Sequence, residues 1–344
     1  MKRFVLHCSL FFGALLSVLV ASCFFIPDKA AGKTMLGALP KKFQVLDSLP
    51  GSRIVFVGGS GLAMGMVTAK IQERLGVPCY NLGLHAGLGL VYQLKSAQTA
   101  LRKGDVVVVV PEYANFSGDF AYGQTELVAC LVDVLPAHLR LIDLRQWFYL
   151  TPNLLEHGAG KLRRVCVRAS AADHSDDYDA FGDALYGDEP DDVHFNFGPA
   201  KQMDKNDFSN VVMPYLLEFK HTCRKIGVEV IVLPPAFNRS SYNNQISYVR
   251  EIANQLKRIG MGFSAEPDRY AMDDRYFRET AYHLNMLGRK ERTRLMADDL
   301  WSIIRCEKYG EVAHRIGSRV GARSAAADGG ELKSEGVEEL RVRE

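Results

Sequence analysis

Hydrophobic and polar positions divide the chain into an apolar start, an alternating middle and a polar end. From Phe4 to Ile26 nearly every position is apolar, with His7, Ser9, Ser17 and Ser22 as the clear interruptions. As a helix rising about 1.5 Å per residue, this run crosses a hydrocarbon core of about 30 Å. In the middle, Arg53-Ile-Val-Phe-Val57 and Asp105-Val-Val-Val-Val-Val110 are continuous apolar runs, and Pro78–Leu82 and Val228–Leu233 read as further strands. Helical stretches fall at about 63–75, 90–101, 208–225, 247–259 and 288–305. Continuous strands alternating with helices predict an α/β domain with a parallel sheet buried on both faces. Beyond about Tyr309 few large apolar residues and no aromatic remain, which predicts a disordered tail. The expected organisation is an anchor or signal over 1–27, a linker over 28–47, a domain over 48–306 with an inserted segment at about 117–205, and a tail over 307–344.

Composition excludes several classes. The 344 residues are 47% hydrophobic and 24% charged, which rules out wholesale disorder, a collagen-like repeat and a polytopic membrane protein. A net charge of +2 gives no reason to expect nucleic acid as a partner. Seven cysteines are scattered without a CxxC pair, so buried free thiols are expected rather than a zinc site or a disulfide framework. Three readings of the apolar start stay open: an uncleaved signal-anchor, a lipoprotein signal in which Val20-Ala21-Ser22-Cys23 makes Cys23 the lipidated residue, and ordinary cleavage or a buried core helix. Lys2 and Arg3 precede the run, and Lys29, Lys33, Lys41 and Lys42 follow it, so flanking charge leaves its orientation nearly balanced.

Within the inserted segment, Glu126–Leu155 is apolar and reads as helical. The stretch after it carries Asp173, Asp176, Asp177, Asp179, Asp183, Asp188, Glu189, Asp191 and Asp192. Its spacing does not match an EF-hand loop. A solvated excursion is expected, with a cation site or a docking surface as the alternatives.

Sites in parallel sheets form at the carboxyl ends of strands. The loops Gly58–Gly61, Gly83–Gly89, Pro111–Asn115 and the one after Leu233 stand there. Ser60 follows a strand and precedes a helix, a geometry that exposes a hydroxyl beside backbone N–H groups. Leu62 excludes the GxSxG elbow. A serine nucleophile needs a base, and His283 in Tyr282-His-Leu-Asn285 is the candidate, with Glu279 four residues earlier to orient it. The plainer reading is a Gly-rich turn and a structural histidine. A dinucleotide-binding turn at Gly59-Ser-Gly61-Leu-Ala-Met-Gly65 is a further rival, but Tyr80-Asn-Leu-Gly83 replaces the acidic residue expected after the second strand.

The order strand-Gly58-Gly-Ser60-helix, Asn81-Leu-Gly83, strand-Pro111-Glu-Tyr113 and Tyr282-His-Leu-Asn-x-x-Gly288 resembles the SGNH/GDSL-type hydrolases. More narrowly, it resembles their membrane-anchored bacterial branch that accompanies membrane-bound O-acyltransferases in envelope polysaccharide modification. The resemblance covers roughly residues 45–305. It implies a three-layer α/β fold and an extracytoplasmic acyl esterase or O-acyltransferase, acetyl being the expected group. It implies Ser60 as nucleophile, His283 as base and Gly83 as an oxyanion-hole donor. Glu112, Tyr113 and Asn115 are the further oxyanion or binding candidates. The implied partners are an envelope or exported polysaccharide, the membrane and a membrane-bound O-acyltransferase; no cofactor or metal is expected. The chain departs from the family pattern at Thr280, where the usual acid stands three before the histidine, and at Gly59, in place of the Asp of GDS. The usual third-block Asn is replaced by Pro111-Glu112-Tyr113, with Asn115 nearby.

Overall fold

The computed structural model describes residues 1–28, 30–166, 174–185 and 198–305. The expected tail lies outside them, as do Asp173, Asp188, Glu189, Asp191 and Asp192. In chain order the elements are α1 (Lys2–Phe25), α2 (Ala38–Ser48), β1 (Ile54–Gly58), α3 (Ser60–Ala63), α4 (Thr68–Leu75), β2 (Cys79–Asn81), α5 (Leu90–Gln98) and β3 (Val106–Val110). There follow α6 (Thr125–Ala129), α7 (Leu144–Cys166), α8 (Met213–Lys225), β4 (Glu229–Val232), β5 (Phe237–Asn238), α9 (Arg239–Asn244), α10 (Ile246–Arg258), β6 (Ala271–Met272) and α11 (Met286–Arg305).

The main sheet has four parallel strands in the order β2-β1-β3-β4. Side chains alternate between its faces, as the two-residue period of a strand requires. Val55, Val57, Val107, Val109 and Val232 meet apolar residues of α5, α8 and α10. Ile54, Phe56, Val106, Val108, Val110 and Ile231 meet those of α4 and α11. Both faces are thus covered, which is why these strands read as unbroken apolar runs. The chain leaves β1 toward β2 on one side and returns to β3 on the other. The carboxyl ends of β1 and β3 therefore flank the switch point where α/β sheets hold ligands.

One buried ion pair closes the opposite edge. Arg53 Nη2 lies 2.5 Å from Asp105 Oδ2, with both side chains fully buried. The same guanidinium donates to the carbonyls of Leu46 and Ala100. This satisfies the donors that would otherwise make burial costly.

The N-terminal helix α1 is long and apolar enough to cross a membrane, with a mean hydropathy of 2.3 over its apolar window. That agrees with a signal-anchor or a signal sequence. Its last turns pack on α7: the Ser22 hydroxyl donates to the Gly158 carbonyl at 3.0 Å, and Lys161 Nζ donates to the Cys23 carbonyl at 2.6 Å. A Cβ at Gly158 would stand 2.2 Å from the Leu19 carbonyl oxygen, so the two helices touch through backbone. Cys23 is buried in this contact, and Cys79, Cys130 and Cys223 are likewise buried free thiols.

Two segments differ from the sequence expectation. Residues 38–47, expected in a linker, belong to α2, whose Leu39 and Leu46 are buried. The acid-rich run is not solvated throughout: Asp183 is fully buried. Its carboxylate accepts from the Thr68 N–H and hydroxyl, each at 2.6 Å, and from Asn81 Nδ2 at 2.9 Å. Asp176 and Asp177 are exposed, as expected.

Candidate active site

Ser60 opens α3 directly after β1 and Gly59, and its side chain is nearly buried. Two hydrogen bonds join it to a relay. The Ser60 hydroxyl lies 2.8 Å from His283 Nε2, and His283 Nδ1 lies 2.6 Å from Glu279 Oε1. A carboxylate only accepts, so it fixes the proton on Nδ1 and leaves Nε2 to accept from serine. The hydrogen bond from His283 holds the Glu279 carboxyl down at about 2 against the opposing effect of burial. The structure thus brings together the three residues singled out from the sequence as nucleophile, base and orienting acid.

The loop carrying Glu279 and His283 is closed on itself. Phe277 and Leu284 form an antiparallel bridge, the Arg278 N–H donates to the His283 carbonyl, and the Asn285 N–H donates to the Tyr276 carbonyl. Thr280 stands where the family pattern has its acid. Its hydroxyl accepts from the N–H groups of Tyr282 and His283 at 3.2 and 3.0 Å. Thr280 therefore caps the turn, and Glu279 takes the orienting position one residue earlier. Tyr282 anchors the loop on the segment after β4: its ring centroid lies 4.8 Å from that of Phe237, and the Asn238 N–H donates to the Ala281 carbonyl.

Gly61 is pressed from several sides. A Cβ there would lie 3.0 Å from Tyr282 Cβ. Its N–H donates to Glu112 Oε1 at 3.1 Å, and its carbonyl accepts from Arg292 Nη1 at 2.6 Å. Glu112 reaches this place from the end of β3. Burial raises its pKa above the ordinary carboxyl value, against the hydrogen bond from the Gly61 N–H and the nearby Arg292 guanidinium.

The residues expected around the oxyanion each have a place in the fold. Gly83 lies against α3, but its N–H donates to Asn81 Oδ1 at 2.8 Å. That donor is engaged by a side chain of the same loop. Asn115 Oδ1 accepts from the Glu112 N–H at 3.0 Å, so Asn115 caps the short turn after β3. Tyr113 is fully buried in the core, and its carbonyl accepts from the Tyr248 hydroxyl at 2.9 Å. It supports the loop from beneath. The Ser60 N–H has no acceptor among the described residues.

Some supporting contacts carried no readable signal. Asn81 stood in a block read from the sequence, but its side-chain bond to Gly83 was not part of that reading, and Arg292 arrives from α11, 231 positions beyond Gly61. His85 lay inside a loop already marked by its glycines, yet no spacing singled it out.

A second polar cluster sits at the foot of α1. Asp133 accepts from His157 Nε2 at 2.8 Å and Lys161 Nζ at 2.6 Å, and Asp28 pairs with Arg164 at 2.7 Å. Asp28, Asp133 and His157 have cation-ligating chemistry, but the amino and guanidinium groups already compensate their charge. Neither a protein-family model nor a curated protein matches the chain.

Proposed function

We propose that the chain is a membrane-anchored, extracytoplasmic serine acyl esterase or O-acyltransferase acting on an envelope or exported polysaccharide, with acetyl as the acyl group. The Ser60–His283–Glu279 relay carries this reading. The apolar α1 and the resemblance of the Ser60 and His283 segments to SGNH-type enzymes support its place and substrate class.

The chemistry follows from proton positions. His283 Nε2 takes the Ser60 proton as Oγ attacks the acyl carbonyl carbon. The tetrahedral intermediate collapses, and the departing oxygen takes that proton from the imidazolium. An ester on Ser60 remains. Water or a sugar hydroxyl then gives a proton to His283 and attacks the ester, and Ser60 leaves with the proton returned. Glu279 holds the ring and stabilises its charged form throughout. Whether water or sugar accepts the acyl group depends on how far the site excludes water. A membrane-bound acyltransferase would supply the acyl group in the transfer version.

The second reading is a catalytically impaired relative that binds glycan or holds an acyltransferase. The internal use of the Gly83 N–H favours it. A fluorophosphonate probe separates the two. The first reading expects labelling of the wild type, none of Ser60→Ala, and strong reduction in His283→Ala. An unlabelled, folded wild type whose Ser60→Ala variant keeps normal biological activity leaves the binding reading standing.

A further inference from the structure

Past α1, the two most exposed large apolar side chains among the described residues are Leu144 at 89% and Phe148 at 75%. Both stand in the first turns of α7. Exposed Thr151 and half-buried Leu155 continue the same edge, at the i, i+4, i+7, i+11 spacing of one helix face. The other face is taken up by the fold: Gln146, Leu150, His157 and Lys161 are buried. Folding is thus served by one side of α7, and the apolar edge on the other is left for a contact outside the domain.

The way α7 meets α1 shows which contact. A Cβ at Gly158 would press on Leu19, and its carbonyl accepts from Ser22. Lys161 bonds the Cys23 carbonyl, and Arg164 pairs with Asp28. The partners advance in the same direction along both helices. Traced backward from Gly158, α7 therefore leads toward the part of α1 that a bilayer covers. With α1 spanning the membrane, Leu19 stands about 9 Å before its end, six residues of about 1.5 Å each. That is the depth at which an interfacial helix buries its apolar face. Arg140 and Arg145 are exposed at the start of α7, where guanidinium groups meet lipid phosphates.

We propose that the first half of α7 is a second membrane contact, which sets Leu144 and Phe148 into the headgroup–acyl boundary of an anionic bilayer with Arg140 and Arg145 at the phosphates. This contact rests on the membrane-anchored reading of α1. A single spanning helix leaves a domain free to swivel about the helix axis. A second contact on one side removes that freedom and fixes which face of the domain looks along the membrane.

A photoreactive benzophenone side chain, placed in turn at Leu10, Leu144 and Arg294, reads the surroundings of each position. Leu10 lies within α1, Leu144 on the apolar edge, and Arg294 is exposed on α11 across the sheet. The full chain would be reconstituted in vesicles of phosphatidylethanolamine and phosphatidylglycerol, irradiated and analysed by intact mass. Phospholipid adducts are expected at 10 and 144, and none at 294. Combined with Phe148→Glu, the adduct at 144 should fall toward the level at 294, and the adduct at 10 should stay. Adducts at 10 but none at 144 overturn the second contact and leave the anchor standing. A protein–protein adduct at 144 gives the edge to a second copy of the chain and overturns it as well. So does an adduct at 144 that survives Phe148→Glu unchanged. Absence of a lipid adduct at 10 overturns the anchored reading itself, and this contact with it.

Discussion

At the scale of single residues, the relay depends on what each neighbour can donate or accept. Glu279 is half-exposed, with 49% of its side chain accessible, so its bond to His283 is partly screened by solvent. Glu279→Gln should therefore lower kcat by roughly tenfold to a hundredfold, below the full effect of a buried orienting acid. The same carboxyl links stability to pH. Its pKa in the folded chain is about 2 against an ordinary 4.5, so folding favours the ionised form. That contribution is present above pH 4.5 and is lost as the pH falls toward 2. Urea unfolding at pH 7 and pH 3 should show wild type and Glu279→Gln separated by about 1 kcal/mol or less at the higher pH, converging at the lower. Ser60, His283 and Glu279 were legible in the sequence because a nucleophile needs a base and the base an orienting acceptor. The bond from the Gly83 N–H to Asn81 Oδ1 was not legible. It depends on the rotamer of Asn81, which Asp183 fixes from a segment 102 residues away.

At the scale of elements, the strands were the most legible part. A strand covered on both faces has no polar side to interrupt its apolar run; β3 falls inside its expected segment, and β1 runs one residue past its own, to Gly58. The helix expected over 63–75 begins only at Thr68, as α4, with the short α3 ending at Ala63. Arg292 fills the space beside Gly65, where a Cβ would lie 2.1 Å from its Nη1, and such a long-range contact has no local signature. Helix α2 was hidden for another reason: Lys41-Lys42 gives it a polar reading, yet Lys42 is buried. Its Nζ donates to the carbonyls of Asn81, Gly83 and Gly182 and stands 4.2 Å from the Tyr178 ring centroid. One side chain thus joins α2, the loop after β2 and the inserted segment. Lys42→Met would fill much of the volume but leave three buried carbonyls without this donor. Unmade buried hydrogen bonds of this kind cost about 1–3 kcal/mol each, partly recovered by water, so a total loss of roughly 2–4 kcal/mol is expected in denaturant unfolding. The loop bearing Gly83 and His85 should loosen as well, read as faster amide exchange there than in β3.

At the scale of the whole molecule, the joint between α1 and the domain decides where any chemistry takes place. A flexible linker would let the site roam above a bilayer. The chain instead runs from α1 through two short turns over Ala31–Gly37 into the packed α2. Lys161 bridges the Cys23 carbonyl and Asp133, and Arg164 holds Asp28 just beyond the helix. These contacts set the domain against the end of α1, so an anchored form would hold the domain close to the membrane surface. They also bear on how the start is processed. Lipidation would require cleavage before Cys23, which removes the Ser22–Gly158 bond and brings a buried thiol to the membrane. Retention of α1 keeps both contacts. The expected outcome is a membrane-bound protein that resists carbonate extraction, carries its full N-terminus by intact mass, and behaves identically as Cys23→Ala. A mature chain beginning at Cys23 with added acyl mass would establish the lipoprotein route. Release of an unacylated chain into the soluble fraction would establish ordinary cleavage, and would leave the face of α7 around Gly158 without the helix that covers it.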